Sequence, residues 1–233
     1  MAVPAFRVLR FESVASTQDL LVARARAGED VTGLCVRARE QTRGRGRRGS
    51  AWSSPPGGSY QSLGLGRVAP PWLTLALGVG VAEALNAAFD AGAAVKWPND
   101  VFRGGGKLGG IIVEVVAGQA VAGVGVNVGE VAPPGAASLT GADPDEVSDV
   151  VLRGVGSGLE LALAGGEAVA ARFAALDLLR SREVVVALGS AREGDVVTGV
   201  GAGVDATGAL LVAVPGGPTV RVASGHVVRF RAG

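Results

Sequence analysis

The sequence is poor in the residue types that form reactive or cross-linked sites. Its 233 residues include one cysteine, Cys35, and one histidine, His226. A single cysteine excludes an internal disulfide and a cysteine-based metal cluster. His226 lies in a β-rich segment and is interpreted as an ordinary strand residue, so we assemble no Ser-His-Asp or Cys-His catalytic site from this sequence.

Long apolar runs are also missing. The uncharged stretches 68–82 and 115–129 are each 15 residues long, whereas a helix that spans a bilayer needs about 20 apolar residues. The N-terminus carries no apolar signal segment. With 48% hydrophobic residues, the chain has enough apolar side chains to fill a core. We therefore expect a cytoplasmic protein with no membrane contact.

Positive charge is balanced by negative charge and is carried almost entirely by arginine. The formal net charge is +1, and only two of the 22 basic residues are lysines, Lys96 and Lys107. Proteins dedicated to nucleic acids usually have a strong basic excess, so we expect no DNA partner. Because lysine is so rare here, the positions of the two lysines are more informative than usual.

The apolar pattern predicts an α/β region followed by a β-rich one. Five short strands near the end suit a small β-barrel, so we place a larger first domain over residues 1–181 and a barrel over residues 182–233. A hairpin turn is expected at residues 118–119. The predicted strands are 7–12, 33–40, 59–66, 94–97, 108–116, 119–128, 183–188, 195–204, 209–214, 219–223 and 226–231. The predicted helices are 16–27, 70–90, 145–163 and 167–179.

Residues 41–52, QTRGRGRRGSAW, form the most distinctive segment. Five of the ten residues 39–48 are arginines, and glycines alternate with them. Arginine offers a planar set of donors that suits phosphate or carboxylate, and glycine lets the backbone approach a ligand closely. The pattern predicts a mobile loop that closes on an anion. A nucleic-acid contact and a merely solvated loop remain alternatives, the former weakened by the neutral net charge.

Both lysines lie in short segments next to predicted strands. Residues 96–100 read KWPND, and residues 104–114 read GGGKLGGIIVE. Asp100 is a hard oxygen ligand suited to a phosphate-bound Mg²⁺, although Pro-Asn-Asp is also good turn chemistry. Lys107 is a compact positive charge for phosphate or carboxylate. Its glycine-rich setting does not match the P-loop pattern, and a surface hairpin is the alternative.

Two further segments carry polar residues at strand or helix ends. Asn127 interrupts the apolar run GVGVNVG, and such an amide needs partners if it is buried. The segment ESVASTQD follows the first strand, where Ser16 is expected to cap a helix. Ligand hydrogen bonds from Ser16, Thr17 and Gln18 are an additional interpretation, and a strand-end turn is the alternative for Asn127.

Taken together and in this order, these segments resemble biotin protein ligase, also called biotin–[acetyl-CoA-carboxylase] ligase. The resemblance rests on SVASTQ, QTRGRGRRG followed by Trp52, KWPND, KLGGIIVE, GVGVNV and SGHVVRF, and it spans nearly the whole chain. It implies an enzyme that uses ATP and Mg²⁺ to make biotinyl-5′-AMP and pyrophosphate, and then biotinylates one lysine of a biotin carboxyl carrier protein. It also implies a mixed α/β catalytic domain, similar to class II aminoacyl-tRNA synthetases and lipoate ligases, plus a small C-terminal β-barrel.

The resemblance also implies a role for individual residues. Those implied to contact biotin are Ser16, Thr17, Gln18, Gln41, Arg45, Gly46, Arg47, Lys107 and Gly110. Those implied to contact ATP or the adenylate are Arg45, Arg47, Trp52, Asn99, Lys107 and Asn127. The implied catalytic residues are Lys107, Arg47 and Asp100, with Asp100 also the implied Mg²⁺ ligand. Both Lys96 and Lys107 are expected in the active site.

Three residues depart from the family's usual pattern. Gln18 stands where the family usually has Asn, Ser50 where many members have another Arg, and His226 where an acidic residue is common. Ser50 is expected to weaken ordering of the loop over the intermediate, and His226 weakens the expectation of a carrier contact there. The chain begins at the catalytic domain, so we expect no DNA-binding domain and no repressor role.

Other functions stay open at this point. A lipoate–protein ligase shares the fold and the chemistry and is the nearest alternative. A weakly catalytic biotin- or nucleotide-binding protein is an alternative of another class. So is an RNA-binding module, which would bind RNA in a salt-dependent way. The sequence also leaves a homodimer open.

Overall fold

The structure is a computed structural model that describes residues 3–130, 132–189 and 195–231. The described residues form twelve strands and four helices. The strands are β1 (Arg7–Val14), β2 (Leu34–Gln41), β3 (Ser59–Gly66), β4 (Ala94–Lys96), β5 (Asp100–Arg103), β6 (Gly106–Val116), β7 (Gln119–Val126), β8 (Glu183–Leu188), β9 (Val196–Val204), β10 (Leu210–Ala213), β11 (Thr219–Val222) and β12 (Gly225–Phe230). The helices are α1 (Thr17–Arg26), α2 (Leu73–Phe89), α3 (Pro144–Ala164) and α4 (Gly166–Phe173).

The first seven strands form one mixed sheet in the order β1-β2-β3-β7-β6-β5-β4. Strands β1 and β2 pair in parallel, as expected for two strands joined by a crossover helix, which here is α1. The remaining ladders of this sheet are antiparallel. The prediction of a mixed α/β fold is confirmed.

Helices cover both faces of this sheet. On β2, Val36 belongs to a small apolar cluster with Leu21 and Val22 of α1. Its neighbour Cys35 belongs to the large cluster that contains α2 and α3. Successive strand residues point to opposite faces, so α1 lies on one side of the sheet and the α2–α3 pair on the other.

Helices α2 and α3 meet along a seam of glycines. A Cβ added to Gly154 would lie 2.8 Å from the carbonyl oxygen of Gly80, and a Cβ added to Gly158 would lie 2.7 Å from the carbonyl oxygen of Ala76. Real Cβ atoms do not approach backbone oxygens so closely. The backbones therefore pack at a distance that only glycine allows.

The last five strands form an antiparallel sheet in the order β11-β10-β9-β8-β12. This confirms the presence of a C-terminal β domain. Its ladders run from β11 to β12 with no pairing between these two end strands among the described residues. The two sheets share one apolar cluster, which joins residues such as Val186 and Leu210 to the core around α2. The indole Nε1 of Trp97 also donates to the carbonyl oxygen of Gly208, 3.0 Å away.

Three local predictions need correction. The hairpin turn after β6 lies at Ala117 and Gly118, both with positive φ, rather than at residues 118–119. The pattern missed the four-residue strand β5. Helix α4 ends at Phe173 rather than at residue 179, because the following segment pairs with β4: the N–H of Val95 donates to the carbonyl oxygen of Leu176. Tertiary pairing here overrides the local helical pattern.

None of the described helices combines the length and the apolar character needed to cross a membrane.

We expect Gly154→Ala to lower the free energy of unfolding by about 1–3 kcal/mol, because the added Cβ meets backbone atoms on α2 that cannot move aside. Gly156→Ala on the same helix is the matched control. Its added Cβ would have its nearest neighbour 3.9 Å away, so improved helix propensity should raise stability by up to about 1 kcal/mol. Urea unfolding measures the free energy of unfolding of both variants. Equal changes would contradict the close packing of the two helix backbones at Gly154.

Candidate active site

A cavity of about 540 Å³ opens between the start of α1, the arginine-rich loop and strands β3, β6 and β7. Its size is typical of sites for small ligands. Twelve of the residues singled out from the sequence line it: Ser16, Thr17, Gln18, Gln41, Arg45, Gly46, Arg47, Trp52, Asn99, Asp100, Lys107 and Gly110. We call this the first cavity.

Glycines on adjacent strands form its floor. Gly110 of β6 pairs with Gly125 of β7, and Gly123 lies two residues earlier on the same face of β7. A Cβ on Gly125 would lie 2.6 Å from Nε1 of Trp52, and a Cβ on Gly123 would lie 2.8 Å from Oε1 of Gln18. The absence of side chains at these positions makes room for those two residues and for a ligand.

The wall at the start of α1 is held by hydrogen bonds between its own residues. Ser16 caps the helix, because its Oγ accepts from the N–H of Asp19 at 3.2 Å. Oε1 of Gln41 accepts from the backbone N–H of Thr17 at 2.8 Å and from its hydroxyl at 3.0 Å. The same hydroxyl is 2.9 Å from the hydroxyl of Ser62. Thr17 and Gln41 are therefore rigidly oriented before any ligand arrives.

Gln18 is almost fully buried, with a 3% exposed surface. Its Nε2 donates to Oε1 of Glu114 at 3.1 Å and to the carbonyl oxygen of Val121 at 3.2 Å. Its Oε1 has no hydrogen-bond partner among the described residues. A buried acceptor without a partner is costly, so this oxygen can accept from an N–H group of a ligand in the first cavity.

Two carboxylates hold Arg45, the first cavity-lining arginine of the loop. Its Nη2 donates to Oε1 of Glu114 at 2.9 Å, and its Nε lies 2.7 Å from Oδ1 of Asp19 in an ion pair that lacks hydrogen-bond alignment. Glu114 therefore accepts from Gln18 and Arg45 with the same oxygen. Because the charge of Arg45 is already balanced, it is better placed to hold the loop than to bind phosphate.

Arg47 has an amide as its partner instead of a carboxylate. Its Nη1 donates to Oδ1 of Asn99 at 2.9 Å, while Nδ2 of Asn99 donates to the carbonyl oxygen of Ile111 at 3.0 Å. Burial and the nearby charge of Arg48 lower the pKa of Arg47, and Asp100 opposes this. A guanidinium remains protonated despite such shifts, so Arg47 keeps a charge available for an anion.

Ser50 has a structural contact in the loop. Its Oγ donates to the carbonyl oxygen of Arg47 at 2.9 Å and so closes the short 3-10 turn Arg47–Gly49. The structure thus gives this residue a contact that orders the loop, while the expected effect on the intermediate stays a prediction.

Lys107 lies where two cavities meet. Its Nζ is 2.7 Å from Oδ1 of Asp100 and 5.2 Å from the centre of the Trp52 ring. A second cavity, of about 820 Å³, is also lined by Lys107 and Trp52 and extends past Asn127. Lys107 and Trp52 therefore each border both cavities.

Asn127 lines the second cavity rather than the first. Its Nδ2 donates to the carbonyl oxygens of Lys107 at 3.2 Å and of Ala137 at 3.0 Å. An amide buried in this apolar run was predicted to need hydrogen-bond partners, and Asn127 has them. The bonds fix the backbone of Lys107, so Asn127 helps to position the lysine.

Lys96, which was expected in the active site together with Lys107, lines neither cavity. Its Nζ donates to the carbonyl oxygen of Val227 at 3.1 Å and lies over the rings of Phe102 and Phe230, 5.4 and 5.5 Å from their centres. Burial lowers the pKa of this ammonium group. Lys96 therefore joins β4 to β12, while its cross-strand partner Asp100 lines the first cavity.

The one carboxylate that lines the first cavity suits an Mg²⁺ ion that is bound mainly through substrate phosphates. Asp100 is the single carboxylate among the described residues that line it. No group of three Asp, Glu, His or Cys side chains in the described parts of the chain is arranged to hold a metal. An Mg²⁺ ion commonly keeps several waters and takes one or two carboxylates plus substrate phosphates. Asp100 fits that kind of ion but does not form a resident metal centre.

A model of the biotin/lipoate A/B protein ligase family matches residues 10–130. A biotin–[acetyl-CoA-carboxylase] ligase of Mycobacterium tuberculosis is 35% identical over 93% of this chain and 86% of that protein. The chain belongs to the biotin/lipoate A/B protein ligase family. The bifunctional ligase/repressor BirA of Escherichia coli is 32% identical over 80% of this chain and 64% of that protein.

A solved structure agrees with the family over the full described fold. The biotin protein ligase of Aquifex aeolicus in complex with biotin and ATP superposes with a TM-score of 0.83. The two sequences are 27% identical, and the superposition covers 97% of this chain and 99% of the Aquifex aeolicus chain.

Sequence reasoning missed several residues of this biotin/lipoate ligase-type site. They are Gln61, Ser62, Ile112, Gly123, Val124, Gly125 and His226 in the first cavity, and Glu114 beside it. The alternating glycines of GVGVNVG were a usable signal, since positions two apart on a strand share one face. Glu114 had no local signal, because its role depends on Arg45, a residue far away in the sequence.

We expect Glu114→Gln to raise the rate of trypsin cleavage at residues 43–48 about threefold to fivefold, because Arg45 loses one of its two charged partners. Glu12→Gln is the matched control. Glu12 lies 3.6 Å from Arg39 in a highly exposed pair that should not affect the loop. Cleavage at equal rates in the two variants would contradict a role for Glu114 in holding the loop.

Proposed function

We propose that this protein is an ATP-dependent biotin–protein ligase that forms biotinyl-5′-AMP, releases pyrophosphate and transfers biotin to one lysine of a biotin carboxyl carrier protein. The observation that carries this proposal is the position of Lys107, which borders both cavities. A reaction that joins a carboxylate to an α-phosphate needs a positive charge where the two substrates meet.

In the proposed complex, biotin occupies the first cavity. The unpartnered Oε1 of Gln18 faces an N–H group of the ureido ring, and Ser16, Thr17, Gln41 and Gly110 shape the surrounding wall. The carboxylate end then reaches Lys107. Arg45 and Gly46 form the part of the loop that covers the ligand.

The nucleotide takes the other side of Lys107. In the proposed complex, adenine occupies the second cavity, which Trp52 and Asn127 line, and the phosphates extend toward Arg47 and Asn99. Mg²⁺ bound to those phosphates, with Asp100 as its protein ligand, would supply further charge neutralisation for pyrophosphate departure.

The first half-reaction joins two anions. A carboxylate oxygen of biotin attacks the α-phosphorus, the bond to the bridging oxygen breaks, and pyrophosphate leaves with that electron pair. Lys107 and Arg47 reduce the repulsion between the reactants and stabilise the charge that develops on the phosphoryl oxygens. The ordered loop excludes water from the mixed anhydride until the carrier arrives.

The second half-reaction transfers the biotinyl group. The amine of the carrier lysine attacks the carbonyl carbon, AMP leaves, and the nitrogen loses a proton. Asp100 is paired with Lys107 in the resting site and is released when Lys107 turns toward the phosphate. The freed carboxylate is then available to accept the proton.

The wider assignment follows from the same proposal. Residues 1–181 carry the catalytic chemistry, and residues 182–233 form the β domain that borders the loop. The carrier protein, a cytoplasmic location and the oligomeric state stay predictions. A lipoate–protein ligase is the rival function, since it shares the chemistry.

We expect Lys107→Met to slow adenylate formation at least about a hundredfold, because the charge at the junction is lost. Lys107→Arg keeps the charge and should retain more activity. The measurement is biotin-dependent exchange of pyrophosphate into ATP, with thermal unfolding as a check on folding. A Lys107→Met enzyme as fast as the parent would exclude this role.

Incubation with ATP, Mg²⁺, an apo carrier domain and either labelled biotin or labelled lipoate separates the rival functions. We expect incorporation of biotin alone. Incorporation of lipoate alone would overturn the assignment, and incorporation of neither would favour a binding protein.

We expect Asp100→Asn to slow transfer from preformed biotinyl-5′-AMP by about tenfold or more, since an amide cannot accept the proton. Single-turnover transfer to the carrier domain measures this without contribution from the first half-reaction. An unchanged transfer rate would remove Asp100 from the second step.

A further inference from the structure

The single histidine of the chain lies at the mouth of the first cavity. His226 is an exposed residue near the start of β12 and lines the cavity. Its Nδ1 is 2.9 Å from Nη1 of Arg48 in the loop. A guanidinium only donates hydrogen bonds. Nδ1 of His226 must therefore be the acceptor, which requires a neutral imidazole with its proton on Nε2.

Arg48 has a backbone conformation that needs support. Its φ of 55° lies in the left-handed region, which is sterically unfavourable for a residue with a Cβ. Its guanidinium contacts the ring of His226 and lies near Gly189, where an added Cβ would be 3.0 Å from Nη2. These contacts hold the strained turn in place.

A proton on Nδ1 of His226 would remove the acceptor of this contact. The charged side chains that line the same cavity are Arg45, Arg47, Arg48, Asp100 and Lys107. Its cross-strand neighbour on β8 is Ala187, which is uncharged, and Lys96 of β4 donates to the carbonyl oxygen of the adjoining Val227. A protonated imidazole has no acceptor at Nδ1 and places a positive charge against Arg48. The hydrogen bond between His226 and Arg48 is then replaced by repulsion between two positive charges.

We propose that His226 is a pH-sensitive positioning residue that anchors the arginine loop to the C-terminal sheet. When neutral it holds Arg48 and keeps the loop closed over the cavity, and when protonated it releases the loop. Histidine is the residue type that ordinarily changes charge between pH 5 and 8. The consequence for catalysis rests on the proposed function: the adenylate would escape faster in mild acid.

Amide hydrogen exchange in the full chain without ligand tests the loop directly. The reporters are the backbone N–H groups of Gly46, Ser50 and Trp52, which donate to carbonyl oxygens within the loop. After correction for intrinsic rates, we expect about fivefold less protection at about pH 5.5 than at about pH 8. His226→Gln keeps a neutral acceptor and should be protected at both values. His226→Lys carries a permanent charge and should be unprotected at both.

Val228→Gln is the matched control, because Val228 lies on the same strand and is 59% exposed. It should follow the parent at both pH values. Urea unfolding at each pH excludes a global loss of structure. Parent protection that does not change with pH, or a protected loop in His226→Lys, would overturn the proposal.

Release of preformed biotinyl-5′-AMP, measured over the same pH range, tests the catalytic consequence. We expect release to accelerate in acid for the parent and to stay slow for His226→Gln. A constant release rate while the loop opens would overturn the link to the intermediate. A chain that forms no adenylate would refute the proposed function, while hydrogen exchange would still decide the role of His226.

Discussion

Lys107 and Asp100 form an ion pair of 2.7 Å across the β5–β6 hairpin. The rest of the site depends on pairs of this kind, because they offset the repulsion between neighbouring cations. A cavity for anions must concentrate cations before the anions arrive, and concentrated cations repel one another. Here Lys107 has Asp100, and Arg45 has Asp19 and Glu114. Arg47 is bonded instead to the neutral amide of Asn99. Each partner comes from a different element, so neutralising the charges also assembles the site.

The cations differ in how easily each can leave its present partner and bind a ligand. Arg45 is restrained by two carboxylates and serves the architecture of the loop. Arg47 and Lys107 can exchange their partners for a ligand at a lower cost, because one partner is an amide and the other a single carboxylate. Gln18 reaches the carboxylate that also holds Arg45. The ligand wall and the loop are therefore joined through Glu114.

Much of the fold and of the candidate site could be predicted from the sequence. The features that were missed depend on contacts between residues that are distant along the chain. Helix caps, strand alternation and the arginine-glycine loop are local signals, and they located α1, the large sheet and most of the first cavity. Lys96 and Lys107 look alike in their local sequences, but only the fold shows that Lys96 contacts the aromatic rings of Phe102 and Phe230 outside the cavity. His226 resembled an ordinary strand residue because its partner, Arg48, is 178 residues away.

The shared apolar core has a consequence for the chain as a thermodynamic unit. Residue 181 separates two sheets along the sequence, yet one cluster of buried side chains continues from α2 into β8 and β10. Apolar surface between two parts couples their unfolding, because separating them would expose that surface to water. The two sheets should therefore melt in a single cooperative transition. A chain cut after residue 181 would lose part of its own interior and the anchor of its loop at the same time.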